Sequence, residues 1–493
     1  MSVISPPRPP IPDETSELEA LIREARDRQR RRRRRIGLAV AVAAAVGAVL
    51  GVVFSGGSGK PAVVRIPNGP TVNVEAFAGH GRLAFVSRNS LWVVDGTSRS
   101  LREVKISVGL RPLRPLFSSD GKWLAFLETT SVPSDIAGGA LGYSQVWLAR
   151  GDGSDPHPVA GLGTALLVGW SPTSDVLAAI AAPVSKRVPY GVLTTLRLAT
   201  PNGPTRVLVR SPYVRGAVWS PDGSQLAVVN ENPRLVDTLK TYPISGGAPT
   251  VWATERPHDR LNGMGQPLID LAGWWRGRGI GVWVFGNGMT HNLDETPLDV
   301  VSRPGAKPRF VADTLSVETT RIVSGSKGDL AVVADISHGR NGGRVYWDAK
   351  QVQICSAVGI CSPLVVSTNR SQVTLDPVWS PSRRELAFIE APDRLQGGWG
   401  QSTLTKWSSE HTLRVYNTKS HELQTIAAAK GASIPLWSAN GKSLLYVDRD
   451  GVSLLPTLHA KPVTIATPLF APSRRPSYYG QIAWSDQLSW WSR

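Results

Sequence analysis

The chain repeats itself. Trp219-Ser220-Pro221-Asp222-Gly223 runs into the apolar stretch Leu226-Ala227-Val228-Val229, and the same pattern returns, complete or degenerate, along most of the 493 residues. The position of Trp219 is held in turn by Ala76, Phe117, Trp170, Trp219, Trp274, Val323, Trp379, Trp437 and Trp484, at spacings of 41 to 58 residues. A period of that size means one small unit copied many times, because such a unit cannot bury its apolar surface without a neighbour. Eight copies carry a following apolar run, among them Leu83-Ala84-Phe85-Val86, Leu124-Ala125-Phe126-Leu127, Leu386-Ala387-Phe388-Ile389 and Leu444-Leu445-Tyr446-Val447. Runs this short, apolar at every position and bounded by turn residues, read as strands covered on both faces.

The linking residues fit that reading. Pro presets φ for a turn, and Asp-Gly supplies the positive φ that closes a tight hairpin. Each Ser-Pro-Asp-Gly therefore joins a first strand, ended by the Trp, to the apolar second strand. Third strands follow at Leu91-Trp92-Val93-Val94, Val146-Trp147-Leu148, Leu196-Arg197-Leu198, Val345-Tyr346-Trp347 and Leu413-Arg414-Val415-Tyr416. A fourth follows at Thr205-Arg206-Val207-Leu208-Val209. The repeated Trp residues are expected to pack between sheets rather than to form a sugar-binding platform. The fold class is all-β: a single β-propeller, in which each four-stranded sheet is covered by two neighbours.

The copies at Trp219, Trp379 (Trp-Ser-Pro-Ser-Arg), Trp170 (Trp-Ser-Pro-Thr-Ser), Trp437 (Trp-Ser-Ala-Asn-Gly) and Phe117 (Phe-Ser-Ser-Asp-Gly) carry a resemblance to the WD40-like propeller of the TolB type. The resemblance covers residues 76–493. It implies a fold and not an activity, since the same repeat serves transport accessories, peptidase accessory domains and sensors. A Tol-system role is not expected, because the α/β domain usual before such a ring has no room in this sequence. Eight blades are expected, with seven as the alternative. The terminal segment around Gln481–Ser485 and Leu488–Arg493 is expected to lie beside the first blade and cover its open edge.

Residues 36–54 are 19 consecutive apolar residues, and Arg30–Arg35 stand immediately before them. At about 1.5 Å per residue such a helix would just span a hydrocarbon core. Arg on one side only places residues 1–35 in the cytoplasm and the repeats outside. The expected organisation is thus a Pro-rich, acidic-helix and Arg-rich tail (1–35), a transmembrane helix (36–54), a linker and first strand (55–75), and the propeller (76–493). A cleaved signal peptide is the competing reading. Composition of the tail resembles that of membrane proteins from high-GC actinobacteria. The Arg run beside the apolar segment is read as holding anionic lipid rather than nucleic acid.

The net charge is +17, of which residues 1–35 account for +4 (10 basic, 6 acidic), leaving +13 with no dense basic patch in the later sequence. Cys355 and Cys361 are the only cysteines, and outside the membrane they are expected to form a disulfide that clips a short loop. There is no Gly-x-Ser-x-Gly and no His-Glu-x-x-His, and the eight His are scattered. No catalytic residue, cofactor or metal site is expected, and the chain is expected not to be an enzyme. Long insertions after second and fourth strands gather at one face. The richest lies in 391–411, where Arg394, Trp399 and Trp407 are the candidate binding residues, with exposed Trp as the contact. The expected function is a membrane-tethered, non-catalytic scaffold that binds an envelope protein or anionic polymer. The alternatives are a propeller enzyme acting on carbohydrate or peptide, and an envelope sensor signalling through the tail.

Overall fold

A computed structural model describes residues 63–129, 144–182, 193–232, 236–254, 268–285, 296–314, 323–324, 328–335, 350–356, 359–364, 372–392, 406–449, 451–469 and 484–492. All of these belong to the second of two compact parts of the chain, Pro61–Arg493. The apolar segment 36–54, the tail before it, and Arg394 and Trp399 lie outside the described residues. Among the described residues, no helix is long and apolar enough to cross a membrane.

The described chain is almost entirely antiparallel strand: five sheets of four strands, one of six and one of eight, which divide along the chain into the modules numbered below. Module 1 comprises Arg82–Ser87, Ser90–Asp95 and Ser100–Val104, with Leu488–Trp491 as its innermost strand. Modules 2 to 4 cover 111–158, 165–210 and 213–254. Modules 5 and 6, 268–314 and 323–363, join into one sheet through a single pairing of Thr314 with Ala334. Modules 7 and 8 cover 372–430 and 432–467. The hairpin Val63–Arg65/Thr71–Asn73 adds to the outer strand of module 8.

Packing follows from strand alternation. In Leu124–Leu127 all four side chains are buried, with Leu124 and Phe126 facing module 1 and Ala125 and Leu127 facing module 3. Successive residues point to opposite faces of a strand, so an unbroken apolar run serves two interfaces. Eight apolar clusters repeat this scheme between consecutive modules. One of them joins the last module to the first, placing Leu445, Val447, Val452 and Leu454 against Leu83, Phe85, Trp92 and Val94.

Three sequence expectations shift. Ala76 does not end an innermost strand: residues 74–80 form turns, and module 1 takes its innermost strand from the C-terminal end, pairing Arg82 with Trp491 and Phe85 with Leu488. Trp484 lies in a 3-10 turn, Trp484–Asp486, rather than in a strand. The third strand of module 6 is Lys350–Cys355, beyond Val345–Trp347, which lies outside the described residues. Gln351 and Gln353 break the apolar run there. Their amides are satisfied internally, Gln351 donating to Gln372 O and accepting from Thr374 Oγ1.

Candidate functional site

The modules have two dissimilar ends. At the hairpin end, Ser220 Oγ donates to Asp222 Oδ1 at 2.6 Å and accepts from the Gln225 amide at 2.9 Å. Asp222 also accepts from the Ser224 amide and hydroxyl, and the Ser220 bond first, then those of Ser224, hold its carboxyl down to about 2. Gly223 has φ +71°, and a Cβ there would lie 2.3 Å from Thr173 Oγ1. Ser118–Asp120 and Ser438–Asn440 repeat the same turn. These bonds explain why the motif needs Ser at its second position and Asp or Asn at its fourth.

The repeated Trp residues clasp neighbours. Trp170 Nε1 donates to Leu116 O (2.9 Å), Trp219 Nε1 to Gly169 O (3.0 Å) and Trp437 Nε1 to Val378 O (3.2 Å). Each acceptor directly precedes the matching aromatic of the preceding module. Trp379 is half-buried against the cluster between modules 6 and 7, and Trp484 is buried between modules 8 and 1. Cys355 and Cys361 face each other across a hairpin and are joined as a disulfide.

At the opposite end, the innermost strands begin and the second-to-third connections cross. Six innermost strands carry a register shift within their length: Leu113/Leu116, Leu167/Gly169, Val214/Gly216, Leu271/Gly273, Leu375/Val378 and Ser433/Leu436. A bulge re-aims the side chain it displaces. Arg114, at φ +51°, reaches Asp486 Oδ1 at 2.5 Å. Arg215 pairs with Glu231 and, at 2.9 Å, with Asp237, whose side chain is 1% exposed. Burial opposes the charge of Arg215, and Asp237 and Glu231 more than restore it. Asp376, at φ +51°, accepts the Ile434 amide of module 8 at 3.0 Å. Arg414 Nη2 donates to both oxygens of Glu390, at 3.1 and 2.9 Å. Glu128 is fully buried: Oε1 accepts the Ser107 amide at 2.8 Å, while Oε2 has no partner among the described residues.

This row of charges is the candidate site. Its paired carboxylates and guanidinium groups form a stiff polar rim from which the long connections leave. Among the described residues, no group of three or more His, Cys, Asp or Glu could hold a metal. The sequence reading missed Arg114, Arg215, Glu231, Asp237, Glu390 and Arg414. A signal was present in the charge three or four positions before the strand-ending aromatic, as in Arg114 before Phe117, Arg215 before Trp219 and Asp376 before Trp379.

Trp407 corrects the expectation of an exposed contact. It is 6% exposed, packed between modules 6 and 7, with Nε1 donating to Pro392 O at 2.9 Å and its ring edge-on to His411. A ring of that size beside the Ala391 and Leu375 core gains more from burial than a loop position could give it.

No protein-family model matches the chain, and no curated protein sequence matches it. Similar solved structures include one from a study of two prolyl endopeptidases (10% identity, TM-score 0.44), over 78% of this chain and 54% of that one. An oligogalacturonate lyase in complex with manganese (9%, TM-score 0.39) matches 78% of this chain and 85% of its own. TolB from Acinetobacter baumannii (12%, TM-score 0.31) matches 70% and 63%. This chain therefore spans about half the length of the prolyl endopeptidase. The neighbours are β-propeller proteins, and the described chain is all-β, built of antiparallel sheets. The expectation that the chain is not an enzyme is overturned: the similar folds include enzymes, and the fold is compatible with catalysis. Motifs such as Gly-x-Ser-x-Gly mark catalytic domains of other folds, so their absence is silent about residues a propeller gathers from separate blades.

Proposed function

We propose that the chain is an eight-bladed, closed propeller, tethered outside the cell membrane by residues 36–54, whose loop-bearing end recognises an envelope protein or anionic polymer. The observation that carries this reading is the rim of buried ion pairs at that end, above all Arg215 with Glu231 and Asp237. Preorganised charge lowers the ordering cost of binding, and the connections leaving such a rim are well placed to recognise a partner. Eight clusters between consecutive modules, one joining module 8 to module 1, support the blade number and the closure. The 19-residue apolar run behind six Arg supports the tether and its orientation.

Crosslinking in envelope preparations tests it, comparing the intact chain with a variant lacking residues 394–404. That deletion spares Trp407 and the core around it. Envelope products formed by the intact chain and lost in the variant are expected. Identical products from both would reject the loop-bearing end as the recognition surface. Turnover of a carbohydrate or peptide by the purified chain, lost in Arg215→Met, would make the rim an active site instead.

A further inference from the structure

The hairpin end carries an uneven charge that sequence order conceals. Its turns touch one another between modules: Thr173 Oγ1 donates to Asp222 O at 3.1 Å, Arg278 Nη1 to Gly328 O at 3.0 Å, and the Ala439 amide to Ser492 Oγ at 2.7 Å. On modules 5, 7 and 8 those turns expose Arg303, Lys307, Arg383, Arg384, Lys442 and Lys461. The acidic side chains on the described turns of modules 5 to 8 are Asp329 and Glu422. On modules 2 to 4 the balance differs, with Asp120, Asp152, Asp175 and Asp222 on the equivalent turns, Lys122 on Asp120 at 2.6 Å and Arg102 on Asp152 at 3.6 Å. Among the described residues, Arg303, Lys307, Lys442 and Lys461 have no ion-pair partner. Residues up to 158 positions apart in sequence, Arg303 and Lys461, thus form one cationic sector.

The chain arrives at this same end. Strand Val463–Thr467 begins at the hairpin end, after the turn 456–462, and Thr71–Asn73 runs antiparallel to it. Val63 lies opposite Asn73, so the first described strand starts at the hairpin end of module 8, the module bearing Lys442 and Lys461. Eight residues, 55–62, separate Val63 from the apolar run 36–54. Even fully extended they reach at most about 28 Å.

We propose that the hairpin end of modules 5 to 8 docks on anionic lipid headgroups of the bilayer that holds residues 36–54. This rests on the tethered reading above. A short leash keeps that end near the surface, and exposed cations are drawn to a negative headgroup layer within a Debye length. Docking turns the loop-bearing end away from the membrane, toward envelope partners.

The test uses the full chain in vesicles of phosphatidylcholine, with or without phosphatidylglycerol, containing a headgroup-level quencher. One dye is placed at Ser420→Cys on the hairpin end, and another at Val108→Cys, 99% exposed at the opposite end. The expected result is severalfold stronger quenching at position 420 than at 108. It should fall with salt, without phosphatidylglycerol, and in the combined variant Arg383→Glu, Arg384→Glu, Lys442→Glu. Equal quenching at the two positions, or quenching at 420 indifferent to lipid charge and to the variant, overturns the docking. Retention after an alkaline wash reads the tether separately. A chain that washes off yet showed charge-dependent quenching loses the tether and keeps the docked face. A chain retained without that quenching loses only the face. Relief of quenching by soluble polyphosphate at an ionic strength matched with simple salt would make the partner a polymer and reject lipid.

Discussion

Residue chemistry accounts for the most regular feature of the chain. Ser, Asp and Gly of the repeat are chosen by one turn: a hydroxyl that both donates and accepts, a carboxylate that takes backbone amides, and a residue free of Cβ where φ is positive. Where the repeat is degenerate, substitutes appear. Arg383 occupies the left-handed position that Gly121, Gly223 and Gly441 take elsewhere. His411 is a residue whose role no motif announces. It is 4% exposed, its Nδ1 faces Ala432 O at 3.1 Å, and its Nε2 has no partner among the described residues. The carbonyl acceptor places the proton on Nδ1, so a second proton would be buried unpaired on Nε2. Burial accordingly pulls its pKa down to about 4. A folded-state pKa below the unfolded value makes stability complete above pH 6.5 and lost progressively as pH falls toward 4. Relative to His411→Asn, which keeps a donor for Ala432 O, the native chain is expected to lose up to about 3 kcal/mol across that window. Denaturant midpoints at pH 7 and pH 4 check this; parallel losses in both proteins would refute it.

At the scale of the strand, apolar runs were legible and bulges were not. Period-two alternation with both faces apolar identifies Leu83–Val86 or Leu386–Ile389 from composition alone, because only a sheet covered on both sides buries every position. A bulge depends on pairing register, which involves residues of a second strand. Arg215 interrupts the apolar pattern of Tyr213–Trp219; in the fold it is displaced from the ladder and satisfied by two carboxylates of its own module. Arg215→Met removes the guanidinium that Glu231 and Asp237 share, and is expected to cost about 3–5 kcal/mol. Adding Glu231→Gln and Asp237→Asn should return much of the loss in thermal unfolding. If the single variant unfolds like the native chain, the pair contributes no rigidity to the rim.

Across the whole molecule, the seam between modules 8 and 1 is the point of greatest consequence. The chain crosses it from Thr71–Asn73 on module 8 into Arg82–Ser87 on module 1, and its far end returns to pair Leu488–Trp491 with Arg82–Phe85. Trp490 Nε1 donates to His80 O at 2.7 Å and Trp491 Nε1 to Ser119 O at 3.1 Å, so the last strand also holds module 2. Removing residues 487–493 uncovers the edge of Arg82–Ser87 and the buried faces of Leu83 and Phe85, and an open apolar edge recruits other chains. Self-association in sedimentation and early proteolysis near residues 82–104 are expected. A truncated chain that stays monomeric and equally resistant would mean that the seam does not depend on this strand.

The sequence by itself determined the strands, their turns and the period that stacks them, because each follows from local rules: alternation, positive φ, and a hydroxyl beside a carboxylate. Only the tertiary structure decided which charges share an end, which Trp is buried, and the register in which the terminal segment, expected beside the first sheet, pairs with it. Those are facts of juxtaposition, fixed when distant segments are brought together, and no neighbourhood along the chain contains them.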